Sequence, residues 1–197
     1  MKSRFLETIK AVDGQVQHID YHQKRYEEVI ASLEGSTFLQ LKGHIKAPSL
    51  GLYRCRVVYD KKGIVSISYH KYEKKIVQRL KLIEANTLEY AKKYENRVEI
   101  NKLFEKKGDC DDILIVKDSY ICDTSIANVA FFNGTNWLTP KRPLLKGTTR
   151  ARLIKDGFLV EEEIMIEDLK KFSQMALMNA MIDFDIIQNK KIGEIIC

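Results

Sequence analysis

The sequence predicts an α+β protein built of two halves, a small N-terminal unit over residues 1–84 and a larger C-terminal unit over residues 85–197. Short alternating runs rich in β-forming residues recur along the whole chain and predict strands. Few helical segments stand between them, and most of these end at a glycine. Near residue 85 a set of strands with one helix gives way to short strands interspersed with helices.

The first half reads as antiparallel strands with one helix. Residues 4–12 alternate and end at the Asp13-Gly14 turn, and Asp20 is a good N-cap for the helix that follows. Residues 60–63 form a turn that makes a hairpin of the runs on either side. The predicted elements are strands 4–12, 15–19, 53–59, 64–69 and 75–83, and a helix from residue 20 to Leu33 that Gly35 stops.

The second half reads as short strands and three helical segments. Residues 84–92 form a crossing segment, and a helix over 95–107 ends at Gly108. Gly147 precedes another helix, which closes at Gly157. The predicted elements after Gly108 are strands 113–116, 120–121, 129–132, 137–139, 158–164 and 175–179, a helix over 148–155 and a helical turn over 166–172.

Composition indicates an ordinary globular protein. The 197 residues are 45% hydrophobic and 30% charged, which suffices for a sizeable core. The net charge is +6, but the lysines alternate with acids, so we expect a solvated surface and no nucleic-acid partner. A small anionic partner suits the same charge. No apolar run is long enough to span a bilayer, and the N-terminus does not resemble a signal peptide, so no membrane association is expected.

The four cysteines predict neither a disulfide nor a metal site. They are Cys55, Cys110, Cys122 and Cys197, with no C-x-x-C pair and no histidine pair at metal-ligand spacing nearby. Unpaired cysteines are typical of a reducing compartment, so we expect a cytoplasmic protein.

Four segments carry the chemistry of the chain, and they are His22-x-x-Arg25, Lys93-Tyr-Glu-Asn-Arg97, Asp123-Thr-Ser-Ile-Ala-Asn128 and Leu145-Lys-Gly-Thr-Thr-Arg150. Pyridoxal phosphate requires a lysine that holds it as a Schiff base and later moves protons. It also requires an acid that faces the pyridine nitrogen, and backbone amides with an arginine around the phosphate. The four segments offer one candidate for each of these groups.

In this order, and with the late Asn179-Ala180 pair, the segments resemble the class IV, fold type IV, family of pyridoxal-phosphate enzymes. That family contains branched-chain and D-amino-acid aminotransferases and aminodeoxychorismate lyase. The resemblance implies pyridoxal 5'-phosphate as cofactor and a two-domain fold like that of D-amino-acid aminotransferase, with the cofactor between the domains. It also implies a homodimer. The first domain of this chain is shortened relative to the family pattern.

The resemblance assigns the catalytic lysine and the phosphate-binding residues. Lys93 matches the Schiff-base lysine, and Lys92 is the alternative if the match is displaced by one residue. Arg25 matches the arginine that binds the phosphate. Thr148 and Thr149 match the two positions that bind the same phosphate through backbone amides and a hydroxyl.

The resemblance also assigns the ring and substrate contacts. Asp123 stands where the family has a glutamate facing the pyridine nitrogen, which is a reach shorter by one methylene. Asn128 matches the stretch that packs along the ring, and Asn179 and Ala180 match a loop that borders the substrate. His22 is interpreted as a packing residue and stays outside the catalytic set.

Within the family, the opening FLETIKAVDG and the CRVVYDKKG hairpin look most like aminodeoxychorismate lyase. That enzyme forms p-aminobenzoate and pyruvate, for folate synthesis, from an amine that carries two carboxylates. The alternative is a D-amino-acid or branched-chain-like aminotransferase. A second alternative is a non-catalytic relative that binds an anion or a nucleic acid. Arg54 and Arg56 read as outward arginines of a strand, and one of them is a candidate for contact with a carboxylate.

Overall fold

The computed structural model describes residues 3–35 and 38–197, and the chain divides into two compact units. The first comprises Met1–Lys74 with Lys92–Asn96, and the second comprises Lys75–Ala91 with Arg97–Cys197. Helices and strands occur in both units, which confirms the predicted α+β class. The units are interleaved along the chain, and the ranges 1–84 and 85–197 stay a prediction about folding domains.

The first unit contains a four-stranded antiparallel sheet in the order β2-β1-β3-β4. Asp13 and Gly14 turn the chain after β1 with φ values of 47° and 81°, a conformation that favours a glycine. The predicted hairpin over residues 53–69 is present. The elements are β1 Phe5–Val12, β2 Gln15–Val16, α1 Ile19–Ala31, α2 Leu41–His44, β3 Leu52–Asp60 and β4 Gly63–Lys71.

Strand alternation gives the sheet of the first unit an apolar face. Side chains at every second position of β1 and β3 point to the same side, and α1 packs against them. Aromatic rings fill much of this core, with the Tyr26 and Tyr59 centroids 4.8 Å apart. The fully or nearly fully buried members are Phe5, Ile9, Tyr26, Val29, Ile30, Leu41, Cys55, Val57 and Tyr59.

The segment Lys92–Asn96 belongs to the first unit because it runs along the free edge of β1. The amide of Leu6 donates to the carbonyl of Lys93 at 2.8 Å, and the Phe5 and Tyr94 rings lie 5.4 Å apart. The sequence predicts a helix from residue 95, but the Glu95 amide donates to the carbonyl of Arg4 at 3.0 Å, and helix α3 begins at Val98. Lys93 is therefore anchored through its backbone to β1.

The second unit contains an eight-stranded mixed sheet. Six strands follow the order β10-β9-β8-β7-β6-β5, while β11 pairs with β8 and with β12. Two neighbouring pairs are parallel, β5 with β6 and β9 with β10. The elements are β5 Leu80–Glu84, α3 Val98–Phe104, β6 Asp112–Lys117, β7 Tyr120–Thr124, β8 Asn128–Phe132, β9 Trp137–Pro140, α4 Thr148–Lys155, β10 Leu159–Glu162, β11 Gln174–Asn179, β12 Asp183–Ile186 and α5 Ile192–Ile195.

The predicted third strand of the first half, over residues 75–83, is wrong in both extent and partner. Strand β5 begins at Leu80 and pairs in parallel with β6 of the second unit. Its start is set by Asp111, whose carboxylate accepts the amides of Gln78 and Arg79 at 2.7 and 2.9 Å. An alternating pattern indicates a strand but does not indicate which sheet receives it.

The prediction that no cysteines pair is also wrong, because Cys110 and Cys197 form a disulfide. Backbone bonds to adjacent residues bring the two segments together. The Cys197 amide donates to the carbonyl of Leu80 at 2.9 Å, and the Asp111 amide donates to the carbonyl of Arg79 at 2.9 Å. The cysteines are 87 residues apart in sequence, so spacing gives no sign of this contact.

Within residues 3–35 and 38–197, no helix combines the length and the apolar character needed to cross a membrane. Over the same residues, His, Cys, Asp and Glu side chains form no group of three or more that could hold a metal ion.

Tyr59→Phe is expected to stabilise the protein by about 1 kcal/mol, because a buried hydroxyl without a partner costs desolvation energy. The Tyr59 hydroxyl is buried and makes no hydrogen bond to the described residues. Tyr26→Phe is the matched control, since its hydroxyl accepts the Leu39 amide at 3.3 Å, and we expect it to destabilise by a similar amount. Urea unfolding measures both changes. A loss of stability in Tyr59→Phe would contradict the prediction.

Candidate functional site

The first unit holds a buried carboxylate, Glu7, between two side chains of α1. Glu7 points to the core side of β1, and His22 and Arg25 share one face of the helix through their three-residue spacing. Arg25 donates from Nε to Oε1 at 2.8 Å and from Nη2 to Oε2 at 2.5 Å. His22 Nδ1 lies 2.7 Å from Oε2. The arginine is thereby fixed in a two-point contact.

Electrostatics keep Glu7 ionised and His22 neutral. Burial alone would raise the pKa of Glu7, but the Arg25 charge and the hydrogen bonds from His22 and Arg25 together lower it to about 2. Burial lowers the pKa of His22 against the opposing effect of Glu7. A neutral imidazole must carry its proton on Nδ1 to donate to the carboxylate, so Nε2 is left as an acceptor.

Lys93 and Lys92 lie side by side in the first unit but differ in their surroundings. The Lys92 ammonium donates to Ser32 Oγ at 2.6 Å and lies 5.8 Å from the centre of the Phe5 ring. Lys92 therefore ties the end of α1 to the edge segment. The Lys93 charge acts on His22, where it is one of the smaller causes that lower the pKa of the imidazole.

Glu7 was not identified from the sequence, although a signal for it exists. The inward positions of β1 are Phe5, Glu7, Ile9 and Ala11, so an acid interrupts an apolar series. A carboxylate at such a position needs a cation and further hydrogen bonds. His22 and Arg25, at helical spacing shortly afterwards, are the nearest candidates in sequence. His22 is a buried packing residue, as the sequence predicts, and it also binds Glu7.

The second unit holds another buried carboxylate, Asp123, which joins two strands to the loop before α4. Asp123 pairs with Asn128 across β7 and β8, and its Oδ1 accepts Asn128 Nδ2 at 2.7 Å. Its Oδ2 accepts the backbone amide of Leu145 at 2.9 Å. Asn128 Nδ2 also donates to the carbonyl of Leu145 at 2.8 Å. Leu145 is thus held through both of its backbone polar groups.

Burial raises the pKa of Asp123 to about 6, although the Leu145 amide, the Asn128 side chain and the Arg150 charge act in the opposite direction. Near pH 7 the carboxyl is therefore mostly ionised. Each carboxylate oxygen has a second lone pair, so Asp123 retains the capacity to accept a further donor.

The N-terminus of α4 is buried and lacks a side-chain cap among the described residues. Its first intrahelical bond runs from the Ala151 amide to the Gly147 carbonyl at 2.9 Å, so the amides of Thr148, Thr149 and Arg150 precede the helical ladder. The two threonine hydroxyls make no hydrogen bond to residues 3–35 and 38–197. Orphan amides and the positive end of the helix dipole favour an anion here.

Gly147 permits this arrangement because a larger residue would collide with Asn128. A Cβ built on Gly147 would lie 2.0 Å from Asn128 Oδ1. Arg150 fixes the other side of the helix, since its Nη2 donates to the carbonyl of Pro140 at 2.8 Å and to Glu161 Oε1 at 2.6 Å. The sequence identified the helix start correctly but not this close packing.

The two predicted substrate residues lie in the turn that follows β11. Asn179 ends that strand, and its Oδ1 accepts the amides of Met181 and Ile182 at 2.9 and 3.1 Å. Its Nδ2 donates to the carbonyl of Ile126 at 3.2 Å, which connects the turn to the loop before β8. Ala180 is half-buried in the same turn.

Comparisons with known proteins agree with this architecture. The family model for class IV amino-transferases matches residues 60–188. An uncharacterized protein of Haemophilus influenzae (strain Rd) is 34% identical over 181 residues, which are 89% of this chain and 96% of that protein. A protein of Haemophilus somnus 129pt with the provisional name 4-amino-4-deoxychorismate lyase is 31% identical. Its structure gives a TM-score of 0.85 over 92% of this chain and 97% of its own.

A pyridoxal-phosphate-bound structure has the same fold at much lower identity. It is an aminotransferase of Mycobacterium tuberculosis named as hypothetical, 13% identical, with a TM-score of 0.78 over 94% of this chain and 80% of its own. The fold that the sequence resemblance predicts is confirmed by these matches.

Glu7→Gln is expected to destabilise the protein by about 3 kcal/mol near pH 7. This is the free energy that corresponds to a pKa lowered from 4.5 to about 2. The stabilisation by an acid of lowered pKa is complete above the unfolded value and is lost as the pH falls towards 2. The difference in unfolding free energy between wild type and variant should therefore become smaller as the pH falls from 4.5 to 2. Urea unfolding across this range measures it, with exposed Glu34→Gln as control. A constant difference would contradict the ion-pair account.

Gly147→Ala is expected to destabilise the protein by about 2 kcal/mol, because the new methyl group must displace the bonded Asn128 amide. Gly193→Ala is the matched control in the same unit, since a Cβ at Gly193 meets nothing within 4 Å. Replacing a helical glycine by alanine stabilises a helix by up to about 1 kcal/mol, so Gly193→Ala should not destabilise the protein. Thermal unfolding compares them, and equal melting temperatures for the two variants would refute the role of close packing.

Proposed function

Because the chain belongs to the class IV aminotransferase family, whose members use pyridoxal phosphate, we propose that it is a 4-amino-4-deoxychorismate lyase. Such an enzyme converts its substrate to 4-aminobenzoate and pyruvate. The observation that carries the proposal is the 31% identical Haemophilus somnus relative, which bears that name and matches nearly the full length of both chains. The opening strand and the β3–β4 hairpin, which look most like the lyase, support it.

The residues at the start of α4 fit the phosphate of the cofactor. Thr148 and Thr149 offer backbone amides that precede the helical ladder and hydroxyls without a partner among the described residues. In the proposal these groups bind the phosphate oxygens. Arg25 supplies the neutralising charge, and its contact with Glu7 sets the direction of its guanidinium.

The network around Asp123 fits the pyridine ring. When bound, the cofactor withdraws electrons from the substrate carbon, and it does so best with a protonated ring nitrogen. In the proposal Asp123, ionised at neutral pH, would accept a hydrogen bond from the protonated ring nitrogen, as the family's glutamate does. Asn128 orients Asp123 and would pack along the ring, and its bond to the Leu145 carbonyl connects it to the loop before the proposed phosphate-binding residues.

Lys93 is the proposed catalytic residue. With the cofactor bound, its amine would form the covalent bond to it and, once freed by the substrate, would take the proton from the ring carbon that bears the amino group. The bond between the neighbouring ring carbon and the enolpyruvyl oxygen would then break, which makes the ring aromatic, and the leaving enolate would gain a proton to become pyruvate. Asn179 and Ala180 border the substrate in this proposal, in a turn whose shape the Asn179 side chain fixes.

An aminotransferase is the second candidate, favoured by the description of the matching family model. Lys93 would then return the proton to the cofactor, and no carbon–oxygen bond of the substrate would break. A half-reaction with a D- or branched-chain amino acid, without release of 4-aminobenzoate, would support this candidate.

The proposal includes a homodimer and a product that enters folate synthesis. It also includes a cytoplasmic location. The Cys110–Cys197 disulfide removes the argument for that location from unpaired cysteines. Sedimentation of the purified protein tests the dimer directly.

Lys93→Ala is expected to abolish the yellow band that pyridoxal phosphate produces with the wild-type protein, a band that borohydride reduces. Release of 4-aminobenzoate should fall at least about a hundredfold with it. Lys92→Ala is the matched control and should keep both, because Lys92 binds Ser32. If only the Lys92 variant loses the band, the lysine assignment moves by one residue. If the wild type forms no band, a non-catalytic anion-binding relative becomes the better description.

A further inference from the structure

The turn between β7 and β8 joins the two residues of the second buried network. Asp123 and Asn128 lie directly on either side of it, and in the described part of the chain they are the one pair in the register of the two strands. Within the turn, Thr124 Oγ1 accepts the amide of Ala127 at 3.0 Å, and the Thr124 amide donates to the Ala127 carbonyl at 2.8 Å. The position of Asp123 relative to Asn128 therefore depends on this turn.

Ser125, the second residue of the turn, is bound through every polar group that it has. Its amide and its hydroxyl both donate to the carboxylate of Asp112. Its carbonyl accepts Arg97 Nη2 at 2.5 Å, and the residue is buried. The residues of a connecting turn usually leave such groups to water. Here two side chains from separate segments hold Ser125 in one place.

Asp112 reaches the turn because of the register of β6 on β7. Leu114 pairs with Thr124, so Asp112, two residues earlier, lies beside the residues that follow Thr124. Asp112 is 2% exposed, and its Oδ1 also accepts the amide of Ile113 at 2.8 Å. Burial raises the pKa of Asp112, while the bonds from Ser125 and Ile113 lower it. Three donors suit an ionised carboxylate, whose hydrogen bonds are stronger than those of a neutral group.

The contacts of Asp112 do more than close the turn. Thr124 already closes it through two bonds to Ala127. Removing a carboxylate from water is unfavourable, and the bonds that it gains inside the protein only offset that loss. What Asp112 adds is a fixed position for Ser125, two residues from Asp123. A displacement of about 1 Å is enough to weaken a contact on which catalysis depends.

We propose that Asp112 is a positioning residue, which acts through Ser125 to hold the Asp123 carboxylate where it would bind the pyridine nitrogen of the cofactor. This inference rests on the proposed function for the place of Asp123 at the ring. Asp112 itself touches neither cofactor nor substrate. Its loss should therefore weaken the contact of Asp123 with the ring nitrogen and leave the phosphate contacts unchanged.

The test compares the binding of pyridoxal phosphate with that of its 1-deaza analogue, in which a carbon replaces the ring nitrogen. Calorimetry on the cofactor-free protein gives the two dissociation constants, and their ratio reports what faces the nitrogen. The wild type should prefer pyridoxal phosphate, and Asp123→Asn should lose most of that preference. Asp112→Asn should lower the preference about tenfold, because an amide presents a donor to the Ser125 donors. Asp112→Glu keeps the acceptor oxygens and should recover part of it.

Asp111→Asn is the matched control in the neighbouring position. The Asp111 carboxylate accepts the amides of Gln78 and Arg79 and does not hold the turn, so this variant should keep the full preference. Ser125→Ala is a milder variant for the event that Asp112→Asn does not fold. It removes only the hydroxyl and should lower the preference about threefold.

Hydrogen exchange on the cofactor-free protein provides a second measurement, which does not involve the cofactor. The amides of Ile126 and Ala127 should exchange about tenfold faster in Asp112→Asn than in the wild type, because the turn opens more often. In Asp111→Asn they should exchange at the wild-type rate.

The possible results distinguish this inference from the proposed reaction. Faster exchange in Asp112→Asn with an unchanged preference would mean that Asp112 only stabilises the turn, and would overturn the inference. An equal fall of the preference in Asp111→Asn would also overturn it, as would a wild type that binds both molecules equally or binds neither. A preference that depends on Asp112, in a protein that releases no 4-aminobenzoate, would support the inference and refute the lyase.

Discussion

The salt bridge between Glu7 and Arg25 is the constraint on which the first unit depends. An ionised carboxylate cannot remain in an apolar core alone, so helix α1 must place Arg25 and His22 beside it. This requirement fixes how the helix is rotated on the sheet, because a turn of one residue would break both contacts. The same contact immobilises the guanidinium, and a fixed cation binds an anion at a smaller entropic cost.

The second unit also contains a buried carboxylate, Asp123, but compensates it differently. Glu7 faces a full positive charge at hydrogen-bond distance, which overcomes burial and lowers its pKa to about 2. Asp123 has neutral hydrogen-bond donors, and the Arg150 charge acts on it less than the Leu145 amide and the Asn128 side chain do, so burial prevails and its pKa rises to about 6. The first carboxylate is saturated and structural. The second is less compensated, and a cationic ring nitrogen would supply the charge that it lacks.

Local patterns in the sequence predicted the strands around residues 5–12, 52–71 and 174–179 and the helix that starts at Thr148. They did not predict features that depend on contacts between residues far apart in sequence. Two such features are the parallel pairing of β5 with β6 and the disulfide between Cys110 and Cys197. Short elements such as α2, β12 and α5 have too few residues for a periodic signal. The site residues came from the order of motifs, whereas Glu7 required knowledge of the inward face.

Strand alternation gives the two faces of the first sheet different side chains. Every second residue of β1 and β3 points towards α1, where Glu7 directs Arg25. The intervening residues, which include Thr8, Arg54 and Arg56, point the other way. A shift of register by one residue would bury both arginines in the apolar core and expose Glu7. The pairing of β1 with β3 therefore fixes which residues of the sheet face α1, and with them the position of the Arg25 guanidinium.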